Sequence, residues 1–169
     1  MRFFLAAWPT PEVSAALERL PRPALTGVRW TSSEQWHVTL RFLGELASPD
    51  EILEALDAAA DRRPGPAAGQ LGGSRPHLLG RDAVVYPVAG LEEVAAWVGS
   101  ATAGFGRPPD HGFRGHLTVG RARSGRMPGE LEALALPVVE WPVGDVRVVA
   151  SRLGADGSRY ETVASVELG

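Results

Sequence analysis

The sequence predicts a chain of strands and helices in two related halves sharing one cleft, and three observations lead there. Short strand-like apolar runs alternate with amphipathic helical runs along the chain. The triplets His37-Val38-Thr39 and His116-Leu117-Thr118 each precede a Pro twelve residues after the His, Pro49 and Pro128. Two positions further come Glu51-Ile52 and Glu130-Leu131, a weak internal repeat of strand, loop and Pro-started helix. Finally, DVRVVASRL and RYETVASVEL, joined by GADGS with Asp156-Gly157, read as a hairpin. Duplicated halves of this kind would turn their His-Thr faces toward each other.

The elements follow in order. RFFLAAW (2 to 8) reads as a buried strand, and Thr10-Pro11-Glu12 supplies an N-cap, a first-turn Pro and an early acid. Val13, Ala16, Leu17 and Leu20 then recur at helical spacing. VRW (28 to 30) and WHVTLRFLGEL (36 to 46) are strand candidates. Ser48 and Glu51 have capping-box spacing ahead of the stripe Ile52, Leu56 and Ala59, in a helix ending before Pro64. RRPGPAAGQLGGSRP (62 to 76) reads as a boundary between halves with room for a short strand. AVVYPV (83 to 88) is a strand, Leu91 to Ala103 an amphipathic helix carrying Leu91, Val94, Ala95 and Val98, and HLTV (116 to 119) another strand.

With 169 residues, 44% hydrophobic and 22% charged, the chain fits one soluble domain spanning 1 to 169, a monomer sufficing for a cleft between its own lobes. No apolar run approaches the roughly 20 residues of a membrane span. The start MRFFLAAWP lacks the longer apolar region and cleavage site of a signal peptide, so the cytoplasm is the expected compartment and no membrane partner is expected. With no Cys, disulfides, thiolate zinc sites and a Cys nucleophile are excluded together. A net charge of −3 argues against wrapping a long nucleic-acid backbone but leaves room for a small or terminal anionic substrate. All 17 basic residues are Arg, which removes Lys as base or phosphate ligand.

The paired HxT triplets carry the chemical signal. In a strand, alternate side chains share a face, so His37 lies with Thr39 and His116 with Thr118. One such triplet is weak, since a lone strand histidine is more often structural. Shuffling this composition yields only about 0.2 triplets per chain, so two in matching contexts shift the balance toward a site. Two imidazoles divide the work of acid and base near neutrality, and threonine hydroxyls donate to the oxygens of a phosphoryl transition state. No HExxH, Cys/His zinc spacing, EF-hand loop, Walker sequence or GxSxG elbow is present. His111 stands five residues from His116, a poor metal spacing, and His77 reads as a loop or strand-start residue.

RFFLAAWPTPEV, WHVTLRFLGEL, FRGHLTVGRAR and SRLGADGSRYETVASVEL together resemble the 2H phosphoesterase superfamily. The closer resemblance is to the RNA 2',3'-cyclic phosphodiesterases once called 2'-5' RNA ligases. It implies a bilobal α+β fold of two pseudo-symmetric antiparallel lobes with outer helices and a central cleft. It also implies opening of a terminal 2',3'-cyclic phosphate on RNA 3' ends or small cyclic nucleotides to a 2'-phosphate, with no metal or other cofactor. His37 would be the acid toward the 3'-oxygen, His116 the base, Thr39 and Thr118 the phosphate ligands. Arg121, five residues after His116, would add a charged phosphate contact, although simple alternation puts it on the opposite face. Phe42 is a candidate base contact, with a core position as the alternative. Gly115 stands where the family usually has Pro, and the expected consequence is a looser backbone before His116. Reversible 2'-5' ligation and a non-catalytic RNA-end or nucleotide-binding module are the competing readings.

Overall fold

The computed structural model describes the chain apart from Pro23, Thr26, Pro109, Asp110, Ser124, Gly125, Pro137, Ala155 and Asp156, and apart from the Glu132 side chain. Its strands are β1 (Arg2–Ala7), β2 (Val28–Trp30), β3 (Val38–Glu45), β4 (Ala67–Leu71), β5 (His77–Leu79), β6 (Ala83–Ala89), β7 (His116–Ala122), β8 (Val139–Val143), β9 (Asp145–Gly154) and β10 (Gly157–Glu167). Its helices are α1 (Pro11–Glu18), α2 (Asp50–Ala58), α3 (Glu92–Ala101) and the single turn α4 (Gly129–Glu132). The strands join in the order β10-β9-β1-β3-β7-β6-β4-β8, with β2 added to β7 and β5 to β6. The pairings are antiparallel. This is the α+β arrangement expected from the sequence.

The sheet has two halves, β10-β9-β1-β3 and β7-β6-β4-β8, which meet where Val38 of β3 pairs with Leu117 of β7. Both residues are fully buried. The chain crosses between halves, since β2 follows α1 but pairs with β7, and the β9-β10 hairpin returns to β1. Both faces of β1 are apolar and buried. Phe3, Leu5 and Ala7 join the main core, while Phe4 and Ala6 form a second cluster with Val149, flanked by Trp8 and Tyr160. Helix α3 packs on β3 and on α2, presenting Val94, Ala95, Trp97 and Val98. Helix α2 buries Ile52 and Leu56 of its expected stripe, each worth about 1.5–3 kcal/mol of transfer free energy.

Each HxT strand carries a bulge. Along β1, Leu5 pairs with Arg41 and Ala6 with Thr39, so Leu40 is an extra residue on β3. Along β6, Val84 pairs with Gly120 and Val85 with Thr118, so Val119 is the extra residue on β7. Each bulge stands three residues after its histidine and shifts the alternation by one. Arg41 therefore turns inward, where its guanidinium donates to the carbonyls of Phe105 (3.1 Å) and Thr102 (3.4 Å) at the C-terminal end of α3. Helix carbonyls carry partial negative charge there, which suits a buried cation.

One local expectation is corrected and others hold. Ser48 and Glu51 do not form a capping box; Ser48 Oγ accepts from the Asp50 amide and donates to the Asp50 carboxylate. A short carboxylate two residues away is nearer than Glu51. The Gly/Pro-rich stretch holds β4, the short strand for which its sequence left room, paired with both β6 and β8. His77 is the exposed first residue of β5. Strand β8, around Trp141, escapes sequence reading because Pro137 and Pro142 obscure its alternation. The hairpin forms as expected, while Asp156 of its loop lies outside the described residues.

Gly115 has a different cause from the one its sequence context suggests. A Cβ there would stand 2.2 Å from the Val88 carbonyl oxygen, and the Val88 amide donates to the Gly115 carbonyl at 2.8 Å. The missing side chain lets β6 close tightly against the residue leading into β7, so the glycine packs the motif instead of loosening it. Gly115→Ala is expected to cost about 1–3 kcal/mol of stability by overpacking, measured by denaturant unfolding. Stability equal to wild type would contradict this role.

Candidate active site

The two histidines stand at equivalent places in the two halves. His37 immediately precedes β3 and His116 opens β7, so the Val38–Leu117 contact brings the motifs together. Each ring is held in the same way. His37 Nδ1 lies 2.8 Å from the Gln35 carbonyl and His116 Nδ1 lies 2.8 Å from the Arg114 carbonyl, in both cases two residues back. A carbonyl only accepts, so Nδ1 is the donor in both rings and the neutral form keeps its lone pair on Nε2. Both histidines, Thr39, Thr118, Phe42 and Arg121 line a cleft of about 870 Å³.

The supports of the two motifs are linked. The buried Trp36 indole N–H donates to Thr31 Oγ1 (3.1 Å), and that hydroxyl donates to the Thr118 carbonyl (3.0 Å). The residue before His37 is thereby tied to the threonine of the other motif. On the outer side, the Gln35 amide group donates to the Ser158 carbonyl (3.1 Å), which fixes the turn carrying the Gln35 carbonyl.

The bulges decide the fate of the two residues that alternation left in doubt. Phe42 and Arg121 stand five residues after His37 and His116, and the extra residue in each strand returns both to the face of the histidines. Phe42 is no core residue, being 69% exposed. Arg121 Nη1 pairs with Asp82 at 2.9 Å, with the guanidinium half exposed in the cleft. Arg29 and Arg123 line the same end.

His37 sits in aromatic surroundings that sequence reading missed. Trp8 stacks on it with centroids 5.0 Å apart, Phe4 lies tilted at 5.0 Å and Tyr160 meets it edge-on at 5.0 Å. The Arg147 guanidinium in turn stands over the Trp8 ring, 5.4 Å from its centroid. Burial among these rings lowers the His37 pKa to about 4; the Gln35 carbonyl works against this, and the nearby His116 charge adds to it. The signal available in the sequence was the period-two set Phe4, Ala6, Trp8, which gives the opening strand a second apolar face. His111 is exposed and lies outside the lining of the cleft. Among the described residues, no group of three or more His, Cys, Asp or Glu is arranged to hold a metal ion. No described helix is long and apolar enough to cross a membrane.

Comparison with known proteins agrees with this geometry. Residues 7–71, which contain the first motif, match the family model of LigT like Phosphoesterase. The fold is similar to that of TT0787 of Thermus thermophilus, with a TM-score of 0.71, 25% identity, and coverage of 99% of this chain and 98% of that one. It is also similar to a protein described as a phosphoesterase, with a TM-score of 0.74, 23% identity, and coverage of 99% and 97%. E. coli LigT complexed with 3'-AMP gives a TM-score of 0.72, 23% identity, and coverage of 99% and 97%. No curated protein matches. The first motif thus lies inside a region similar to the LigT like Phosphoesterase family, and the second faces it across a fold shared with these structures over nearly the whole chain.

Proposed function

We propose that the protein is an RNA 2',3'-cyclic phosphodiesterase that opens a terminal 2',3'-cyclic phosphate to a 2'-phosphate. The observation carrying this reading is the pair of imidazoles at one cleft, each with Nδ1 committed to a main-chain carbonyl and Nε2 left for proton transfer. His116 Nε2 takes a proton from water as the oxygen attacks phosphorus. The bond from phosphorus to the 3'-oxygen breaks, and His37 Nε2–H gives that oxygen its proton. Thr39 and Thr118 donate to the non-bridging oxygens, and Arg121 adds positive charge toward the phosphate. Phe42 offers an exposed ring to a nucleobase. Every proton and oxygen in this scheme comes from the histidines, water or the ester, and the protein works as a monomer in the cytoplasm.

The His37 environment bears on the division of labour. Burial holds the free ring neutral at pH 7, and a bound phosphate anion favours its protonated form. The acid role is therefore assembled with substrate, while the reverse assignment, His37 as base, follows from the free ring. Leaving-group chemistry separates them. A p-nitrophenyl phosphodiester needs no proton on departure, so His37→Ala is expected to keep far more activity on that ester than His116→Ala does. On adenosine 2',3'-cyclic phosphate both variants are expected to fall by about 10²–10⁴-fold. Full hydrolysis of the cyclic substrate by both variants would contradict the function itself, and the opposite pattern on the p-nitrophenyl ester would exchange the two roles.

The pH profile supplies a second test. The active form holds one proton between the two rings, so kcat/KM falls when the second proton adds on acidification. The free-protein His37 pKa sets that acid limb near pH 4. Trp8→Ala opens the ring to water, reduces desolvation and should move the limb upward toward the ordinary histidine value of about 6.5. An acid limb unmoved by this substitution would contradict the assignment of the limb to His37.

A further inference from the structure

The cleft lining holds a third threonine besides those of the two motifs. Thr31 follows β2 and is half-buried, and its hydroxyl is already engaged. An indole N–H only donates and a carbonyl only accepts, so the direction of the contacts around that hydroxyl is fixed. Trp36 Nε1–H donates to Thr31 Oγ1 at 3.1 Å, and the single hydroxyl proton goes to the Thr118 carbonyl at 3.0 Å. No proton remains for an oxygen of a bound phosphate, which separates Thr31 from the role proposed for Thr39 and Thr118.

The backbone of Thr31 adds a second hold on the same strand. Its amide donates to the Val119 carbonyl at 3.0 Å, so one residue takes the consecutive carbonyls of Thr118 and Val119. In a regular strand consecutive carbonyls point to opposite neighbours, and a residue on one side reaches only one of them. Val119 is the extra residue of the β7 bulge, which breaks that alternation. The same bulge adjoins Thr118 and returns Arg121 to the face of the histidines. At its other end the chain of contacts begins at Trp36, a member of the main core and the residue before His37. Resting on the proposed activity, we infer that Thr31 is a positioning residue that holds Thr118 and Arg121 in register with His37 through the β7 bulge. It touches neither the phosphate nor a transferred proton. Its loss lets the phosphate ligands drift relative to acid and base, which weakens the transition state more than ground-state binding.

The test measures kcat and KM separately on adenosine 2',3'-cyclic phosphate, well below the melting temperature of each variant. Thr31→Val keeps the shape and removes the hydroxyl from between the Trp36 N–H and the Thr118 carbonyl. Its kcat is expected to fall by about ten- to a hundredfold while KM changes by less than about threefold. Thr31→Ser keeps both hydrogen bonds and is expected to hold kcat within about threefold of wild type. Thr31→Ala, which lets water reach both partners, is the second hydroxyl-free variant and decides the question if the valine disturbs folding; the same split is expected. A hydroxyl-free variant with a lowered melting temperature and wild-type kcat makes Thr31 structural only and overturns the inference. A raised KM at unchanged kcat puts the hydroxyl on the substrate and overturns it as well, as does a serine variant as slow as the valine. Each of these contrary results leaves the phosphodiesterase reading in place, since the wild-type protein still turns over. No turnover by the wild-type protein overturns that reading and the inference with it.

Discussion

The site depends on one contact between strands. Val38 and Leu117 pair at the centre of the sheet, fully buried, and the catalytic candidates stand one residue before each of them. Beyond that contact β3 and β7 diverge, and β2 takes up the edge of β7 from Gly120 to Ala122. The space opened by this divergence is the cleft. The hydrogen-bonded relay from the buried Trp36 through the half-buried Thr31 to the Thr118 carbonyl reinforces the junction from the side. Two histidines nearly eighty residues apart in sequence thus owe their proximity to a small number of packed groups.

The duplicated frame is finer than the duplicated motif. Each histidine bonds a carbonyl two residues back, and each strand carries its bulge at the same offset. Within that frame the contents diverge. His37 is enclosed by Trp8, Phe4 and Tyr160, whereas His116 belongs to a strand supported by Gly115 and open to the cleft. Unequal surroundings around like groups are how one site separates an acid from a base. The same divergence distinguishes Phe42 from Arg121 and gives the cleft a direction.

Much of this was legible in the sequence. The alternation in RFFLAAW, the helical stripe of Ile52, Leu56 and Ala59, and the repeated HxT with its downstream Pro each report a local regularity, and the elements and the histidine pair followed from them. The placement of Phe42 and Arg121 did not follow, because a bulge is set by strand pairing and strict alternation predicts the wrong face. The aromatic enclosure of His37 joins residues from the two ends of the chain, Trp8 and Tyr160, and no local pattern reports such a contact. The role of Gly115 lies in the Val88 carbonyl opposite it, again a partner distant in sequence.

The proposed chemistry stands or falls on which ester bond breaks. The most direct measurement is to incubate the protein with a short RNA ending in a 2',3'-cyclic phosphate and identify the terminal phosphate by its position. Acid catalysis at the 3'-oxygen predicts a 2'-phosphate with a free 3'-hydroxyl, formed by the wild-type protein. A 3'-phosphate, or an unchanged cyclic end while the RNA remains bound, would contradict it.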